Sequence, residues 1–252
     1  MNAKTLFKKL EALIFIKSIR NIKPDDERSS YPYNISSILH LDKLEFHKPV
    51  TFIIGENGSG KSTLIEAIAI NAGFNPEGGG CNFNFSTSES HSELFQSIKL
   101  VRSAYRNRDG YFLRAESFYN VASEVDKLFD KTDKENIYGG SLHERSHGES
   151  FLALLHNRLR GNGLYIFDEP ESALSINSQF NMLIRVKQLV DKNSQFIIAT
   201  HSPILMAYPD ADIYSVTHDG IKLTSYEETE QYKLTKYFMN NHQKFIADLD
   251  LL

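Results

Sequence analysis

The 252-residue chain carries one cysteine, Cys81, and no apolar stretch that approaches the ~20 residues needed to cross a bilayer. A single thiol excludes an internal disulfide and fits a reducing cytosol. The run Leu10-Glu-Ala-Leu-Ile-Phe-Ile16 is too short and too interrupted for a signal or anchor. The expectation is a soluble, cytoplasmic protein with no direct membrane insertion, any membrane link being supplied by a partner. Internal repeats are lacking as well. So is an excess of positive charge: the net charge of −4 does not advertise a nucleic-acid binder. Charge is local, however, and Lys99, Arg102, Arg106, Arg108 and Arg114 interleave with Tyr105 and Tyr111. That stretch is the candidate nucleic-acid contact, although a solvated basic face is the commoner explanation of such a pattern.

What the chain does contain is a phosphate cradle. Gly55-Glu-Asn-Gly-Ser-Gly-Lys-Ser62 follows the apolar run Thr51–Ile54 and precedes Thr63-Leu-Ile-Glu-Ala-Ile-Ala69, so a strand turns through glycines into a helix. Gly55, Gly58 and Gly60 let the backbone N–H groups of the loop, Glu56, Asn57, Ser59 and Thr63 included, face an anion at the positive end of the new helix. Lys61 should reach the β- and γ-phosphates, and the Ser62 hydroxyl should hold Mg²⁺.

Two later strands end in polar groups. Leu164-Tyr-Ile-Phe-Asp-Glu169 reads as a buried parallel strand that delivers Asp168 and Glu169 to the carboxyl edge of the sheet. Asp168 would support Mg²⁺ and Glu169 would deprotonate the attacking water, although an isolated Asp-Glu pair is as well suited to capping a helix. Ser194–Ser202 is another such strand, ending in Thr200-His201, where His201 can hydrogen-bond a γ-phosphate.

These motifs, in this order, resemble the ABC-type ATPases, including the stand-alone relatives labelled AAA-family ATPases that share features with RecF and SMC proteins. Gly55–Ser62 matches Walker A, Asp168-Glu169 Walker B and His201 the switch histidine. Arg145-Ser-His-Gly-Glu-Ser150 looks like the signature: Ser146 and Gly148 match, His147 replaces a glycine and Glu149 stands for glutamine. The same segment reads as a capping box, with Ser146 as N-cap and Glu149 three residues on. The two readings are compatible, because in the family this segment is a helix N-terminus aimed at another subunit's γ-phosphate. Ser146 lies 22 residues before Asp168 and His201 lies 32 after Glu169, both family-like intervals. Ser172-Ala-Leu-Ser175 looks like the D-loop that passes between subunits. The family's Mg²⁺-sensing glutamine is not at its expected place; Glu116 is its best counterpart and a candidate metal residue, with Arg114 beside it. Tyr33, or Tyr31, is the candidate for stacking on adenine.

The resemblance implies a P-loop NTPase of ABC type: a mostly parallel central sheet flanked by helices, an antiparallel β part and an inserted helical lobe. One domain is expected over 1–252, its core at about 1–71 and 161–252 and a helical or irregular insert at about 72–160. Ala12–Ile19 and Ile38–His47 read as the first strands, separated by an exposed loop at Lys23–Ser30. Gly78-Gly-Gly80 opens a Ser/Asn-rich passage to about His91 that is expected to be mobile. Ser117–Leu128 and Ser150–Leu159 look helical, and Phe180, Leu183, Ile184, Leu189 and Val190 give the helix after the D-loop its buried stripe. Asp212–Thr217 and Ile221–Tyr226 flank the hairpin signal His218-Asp-Gly220, and the tail from Glu227 is a helix whose Tyr232, Phe238 and Phe245 are expected to pack on the core, with a partner as the alternative.

The implied activity is ATP hydrolysis with Mg²⁺, in a homodimer that sandwiches two ATP molecules and switches a partner protein of unknown identity, such as a defence or stress effector. A RecF/SMC-like nucleic-acid-binding clamp is the alternative, and the engine of a membrane transporter the second. The missing glutamine and Glu149 in the signature weaken the transporter reading, since both lie on the side that normally meets membrane subunits.

Overall fold

The computed structural model describes residues 13–80, 92–128, 130–141, 143 and 145–250. Cys81 and the Ser/Asn-rich passage from 81 to 91 lie outside them, as do Leu10, Glu11 and Ala12 of the Leu10–Ile16 run. The described strands are β1 (Ile16–Asn21), β2 (Lys43–Glu45), β3 (Val50–Gly55), β4 (Ile98–Arg102), β5 (Asp109–Arg114), β6 (Gly163–Asp168), β7 (Gln195–Ala199), β8 (Asp212–Thr217) and β9 (Gly220–Thr224). The helices are α1 (Ser36–Leu39), α2 (Lys61–Ala72), α3 (Leu94–Ser97), α4 (Phe118–Leu128), α5 (Lys131–Tyr138), α6 (His147–Ala153), α7 (Ile176–Val190) and α8 (Glu230–Asp248).

The main sheet has the order β5-β6-β7-β3-β8-β9, parallel throughout except for the β8-β9 hairpin. β3, β6 and β7 are buried at every position, which is why they read as unbroken apolar runs rather than alternating ones. Alternation reappears in which core each residue enters. Phe52, Ile54, Phe167 and Phe196 join the core under α4, α6 and α7, while Ile53, Ile166 and Ile197 join the one packed against α2 and the smaller sheet. That smaller sheet, β2-β1-β4, is antiparallel. Buried Gln195 of β7 ties it to the main sheet: its Oε1 accepts from the N–H of Phe15 and Ile16, and its Nε2 donates to the Ile16 carbonyl.

Several expectations change. Ile38–His47 is not one strand: Ile38 belongs to the single turn α1, and only Lys43–Glu45 pairs with β1. The Lys23–Ser30 loop is not wholly exposed, because Arg28 is buried with its guanidinium on the carbonyls of Lys23 and Leu39. Residues 72–160 hold two strands as well as helices. β4 pairs with β1, and β5 is the edge of the main sheet, its entry fixed by a half-buried Asp109–Arg158 ion pair at 2.8 Å. The helical part is thus α4 to α6 with the π-helical turn Leu154–Arg158 that continues α6.

The stripe expected on α7 is met in part: Leu189 is buried and Leu183 and Val190 pack against the core. Gln179, Met182, Val186 and Leu189 are buried, whereas Phe180 and Ile184 are 50% and 58% exposed. The tail does form a helix, but α8 buries none of its residues, so it does not pack on the core. Its own aromatics meet each other instead, Tyr237 and Phe238 both contacting Phe245 across the kink at Asn241.

Candidate nucleotide and metal site

β3, β6 and β7 lie side by side and parallel, so the residues at their carboxyl ends share one edge of the sheet. That edge gathers Lys61 and Ser62, Asp168 and Glu169, and His201. The loop between β3 and α2 depends on Gly60, which has φ +95° and whose missing Cβ would sit 2.8 Å from Ile35 Cγ2 and 2.9 Å from Ser37 Oγ. An L side chain there meets both strain and collision. Lys61, the first helical residue, is buried, and its Nζ donates to the Glu56 carbonyl at 2.7 Å, arching over the loop. Burial pulls the Lys61 amine below its ordinary value; Glu169, Asp168 and Glu171 act the other way.

Ser62 Oγ donates to Asp168 Oδ1 at 3.1 Å. Asp168 is buried, and desolvation raises its carboxyl to about 6 against the pull of Arg114 and the Ser62 hydrogen bond. Glu169 takes up a left-handed backbone (φ 49°, ψ 51°), an unusual state for a non-glycine residue, which sets its side chain at the start of the Pro170–Ala173 turn. Glu169 Oε1 is 3.4 Å from His201 Nε2, and that nitrogen is buried without a hydrogen-bond partner among the described residues. Glu171, which sequence reasoning passed over, accepts the His201 backbone N–H at 2.5 Å and so fixes the end of β7. An acid two positions after the Asp-Glu pair was the signal available for it.

A cavity of about 310 Å³ opens above the loop, lined by Asn57, Gly58, Lys61, Ser62, Glu169 and Tyr31 among others. A second, of about 760 Å³, borders the other flank of Gly55–Ser59, toward the β8-β9 hairpin and the start of α8. Tyr33 is not available to stack on a base. It is 6% exposed, its ring packed in the core under Lys23 and its hydroxyl 3.0 Å from Ser97 Oγ. Tyr31, 67% exposed on the cavity wall, is the aromatic that faces the site.

The signature segment forms the capping box expected of it. Ser146 caps α6, Glu149 N–H donates to its hydroxyl, and Glu149 Oε2 accepts from Ser146 N–H at 3.0 Å and Oγ–H at 2.7 Å. Those bonds lower the Glu149 carboxyl below its ordinary value. Gly148 lies against the D-loop segment, where a Cβ would come within 3.0 Å of the Ala173 carbonyl. Ser146 and Gly148 line neither cavity beside the phosphate loop. Glu116 is 84% exposed and meets Arg114, which also meets Asp168. The basic stretch is divided, since Tyr111 is buried, Arg102 donates to the carbonyls of Asn71 and Ala72 at the end of α2, and Arg114 turns into the site.

The donor set fits the implied ligands. Ser62 and Asp168 are hard oxygen donors, and no cluster of three or more His, Cys, Asp or Glu side chains suited to a metal occurs among the described residues. Such a sparse set suits Mg²⁺, which binds through one or two carboxylates together with substrate phosphates and water. Ser59 Oγ at the loop is likewise buried without a partner among the described residues.

Fold and edge chemistry together define the class, a P-loop ATPase of the ABC type. Within it the chain belongs to the AAA-domain family, whose model matches residues 33–244. An uncharacterized ABC transporter ATP-binding protein of Haemophilus influenzae is 26% identical over 189 residues, 68% of this chain and 71% of the relative. The DNA replication and repair protein RecF of Francisella tularensis subsp. mediasiatica is 24% identical over 212 residues, 79% of this chain and 52% of that protein. Among solved structures, one described as an inward-facing conformation of a metal-chelate type ABC transporter matches at TM-score 0.50 with 15% identity, covering 89% of each chain, a likeness of fold. As a member of this class the chain is an ATPase that works with ATP and Mg²⁺. Among the described residues no helix is long and apolar enough to cross a membrane.

Proposed function

We propose that the chain hydrolyses ATP in a composite site shared by two copies arranged head to tail, and that closing and opening of this pair switches a partner protein. The observation that carries the reading is the placement of α6. Its capped N-terminus is held beside the D-loop by Gly148, yet Ser146 borders neither cavity at the phosphate loop of its own chain. A helix N-terminus so presented is suited to the γ-phosphate bound by a second copy, and the arrangement closes on itself with two sites.

In each site Lys61 and the loop N–H groups would bind the phosphates, with Tyr31 against the base. Ser62 and Asp168 would hold Mg²⁺, which neutralises charge on the phosphate oxygens. Glu169 would accept the proton of the attacking water, its carboxylate kept in place by the left-handed turn and by His201. The unpartnered His201 Nε2 would meet a γ-phosphate oxygen, and Ser146 with Gly148 would close the site from the other copy. Glu149 in place of glutamine is tolerated because its carboxylate is turned back onto Ser146.

The test is native mass spectrometry of Glu169→Gln protein in Mg-ATP. Slowed hydrolysis should accumulate a dimer with two nucleotides, and additional bound mass on protein purified from its own cells would identify the partner. A monomer that binds one ATP at full occupancy would overturn the composite site.

A further inference from the structure

Resting on the Mg²⁺ site just proposed, we infer that Arg114 is a positioning residue that exchanges partners when the metal binds, leaving Asp168 for Glu116. Arg114 ends β5 in register with Asp168 of β6 and is met by three carboxylates from three elements. Glu66 of α2 accepts its Nη1 at 2.6 Å, Glu116 of the following loop is 3.6 Å from Nη2, and Asp168 Oδ2 is 3.7 Å from Nε. The three contacts differ in kind. Glu66 is buried, and its other oxygen is held by the Ser92 N–H, so this pair is the fixed anchor of the guanidinium. Glu116 is exposed and free to close on the cation. The Asp168 contact is electrostatic only, because Nε is buried and makes no hydrogen bond among the described residues.

A guanidinium in that position opposes a divalent cation at Asp168. Two cations against one buried carboxylate repel, and the repulsion is strong in a low-dielectric site. Anchored at Glu66, the guanidinium can rotate its free edge toward Glu116, which lowers that repulsion and draws in the loop leading to α4. Phe118 at the start of α4 touches Phe151 of α6, ring centroids 6.0 Å apart, so the loop that gains the cation adjoins the helix bearing the signature. Metal loading would in this way be registered by a charged pair where the family uses a neutral glutamine.

The experiment measures Mn²⁺ binding by electron paramagnetic resonance, with Mn²⁺ alone and with Mn²⁺ plus ADP, on the full chain. Arg114→Gln should tighten Mn²⁺ binding by about tenfold through loss of the competing cation. Because this variant strands the buried Glu66 charge, Glu66→Gln/Arg114→Gln is measured beside it and should also bind more tightly. Glu116→Gln should weaken binding severalfold in the wild-type background and by less than twofold in the Arg114→Gln or double-variant background. Weaker Mn²⁺ binding in the Arg114 variants, or an equal effect of Glu116→Gln in both backgrounds, would overturn the exchange. Absence of Mn²⁺ binding to wild type in both conditions would instead remove the metal site on which the exchange rests.

Discussion

At Asp168, function and stability oppose each other. Its carboxyl is raised to about 6 by burial, so the folded protein favours the protonated acid more than the unfolded chain does. The sign of the linkage follows: this group's contribution to stability is highest below its ordinary value near 4, declines as pH rises from there to about 6, and is flat above. Asp168→Asn removes the penalty while keeping the shape and an acceptor for Ser62. In EDTA it should therefore be more stable than wild type at pH 7.5 by roughly 1–3 kcal/mol, with the difference vanishing near pH 4. Mg-ATP should restore the order by stabilising wild type alone. Urea midpoints across pH check it, and a variant no more stable than wild type at pH 7.5 would show that Arg114 and Ser62 already compensate the buried charge. Tyr31 and Tyr33 illustrate a different residue-scale point: two positions apart, one is a wall of the cavity and the other part of the core, and the partners that hold Tyr33 there, such as the Ser97 hydroxyl, are distant in sequence.

Among the elements, legibility depended on whether the determinants are local. The phosphate loop, the β6 and β7 strand ends, the capping box and the β8-β9 hairpin are each specified by a few adjacent residues, and each was readable from the chain. β5 was not: its ends, Asp109 and Arg114, look like part of a polar basic stretch until Arg158 and Glu66, 49 and 48 residues away, are seen to pair with them. α7 carries apolar residues on two sides, Met182, Val186 and Leu189 inward and Ile176, Phe180 and Ile184 outward; Gln179 is buried because it bonds the Leu174 carbonyl and Ser202, which no periodicity reports. This makes a clean test by urea unfolding. Met182→Ala should cost about 2–5 kcal/mol, as removal of a fully buried side chain does. Ile184→Ala, on the exposed stripe, should cost about 0.5 kcal/mol or less. Equal costs would mean that the outward stripe is covered in solution.

For the whole molecule the decisive property is that each chain would hold two unlike halves of a site. Lys61 and Asp168 would belong to one half and Ser146 to the other, and within a chain Ser146 lines neither cavity beside the phosphate loop. Lys61→Ala disables the phosphate half, and Ser146→Arg blocks the signature half with a bulky cation at the N-cap. Neither variant should turn over ATP alone. In a mixed pair, however, the intact phosphate half of the Ser146→Arg chain faces the intact signature half of the Lys61→Ala chain, so one of the two sites is whole. If chains pair at random, half of the dimers are mixed and each has one site of two, so an equimolar mixture should recover about a quarter of wild-type turnover at equal chain concentration, unless the two sites fire only together. Recovery that rises with total protein concentration identifies the composite site independently of any structure of the pair. A mixture that stays inactive while the Glu169→Gln protein still forms its two-nucleotide dimer would mean that both sites must be intact for either to fire, which is the behaviour of a single concerted switch rather than of two independent hydrolases.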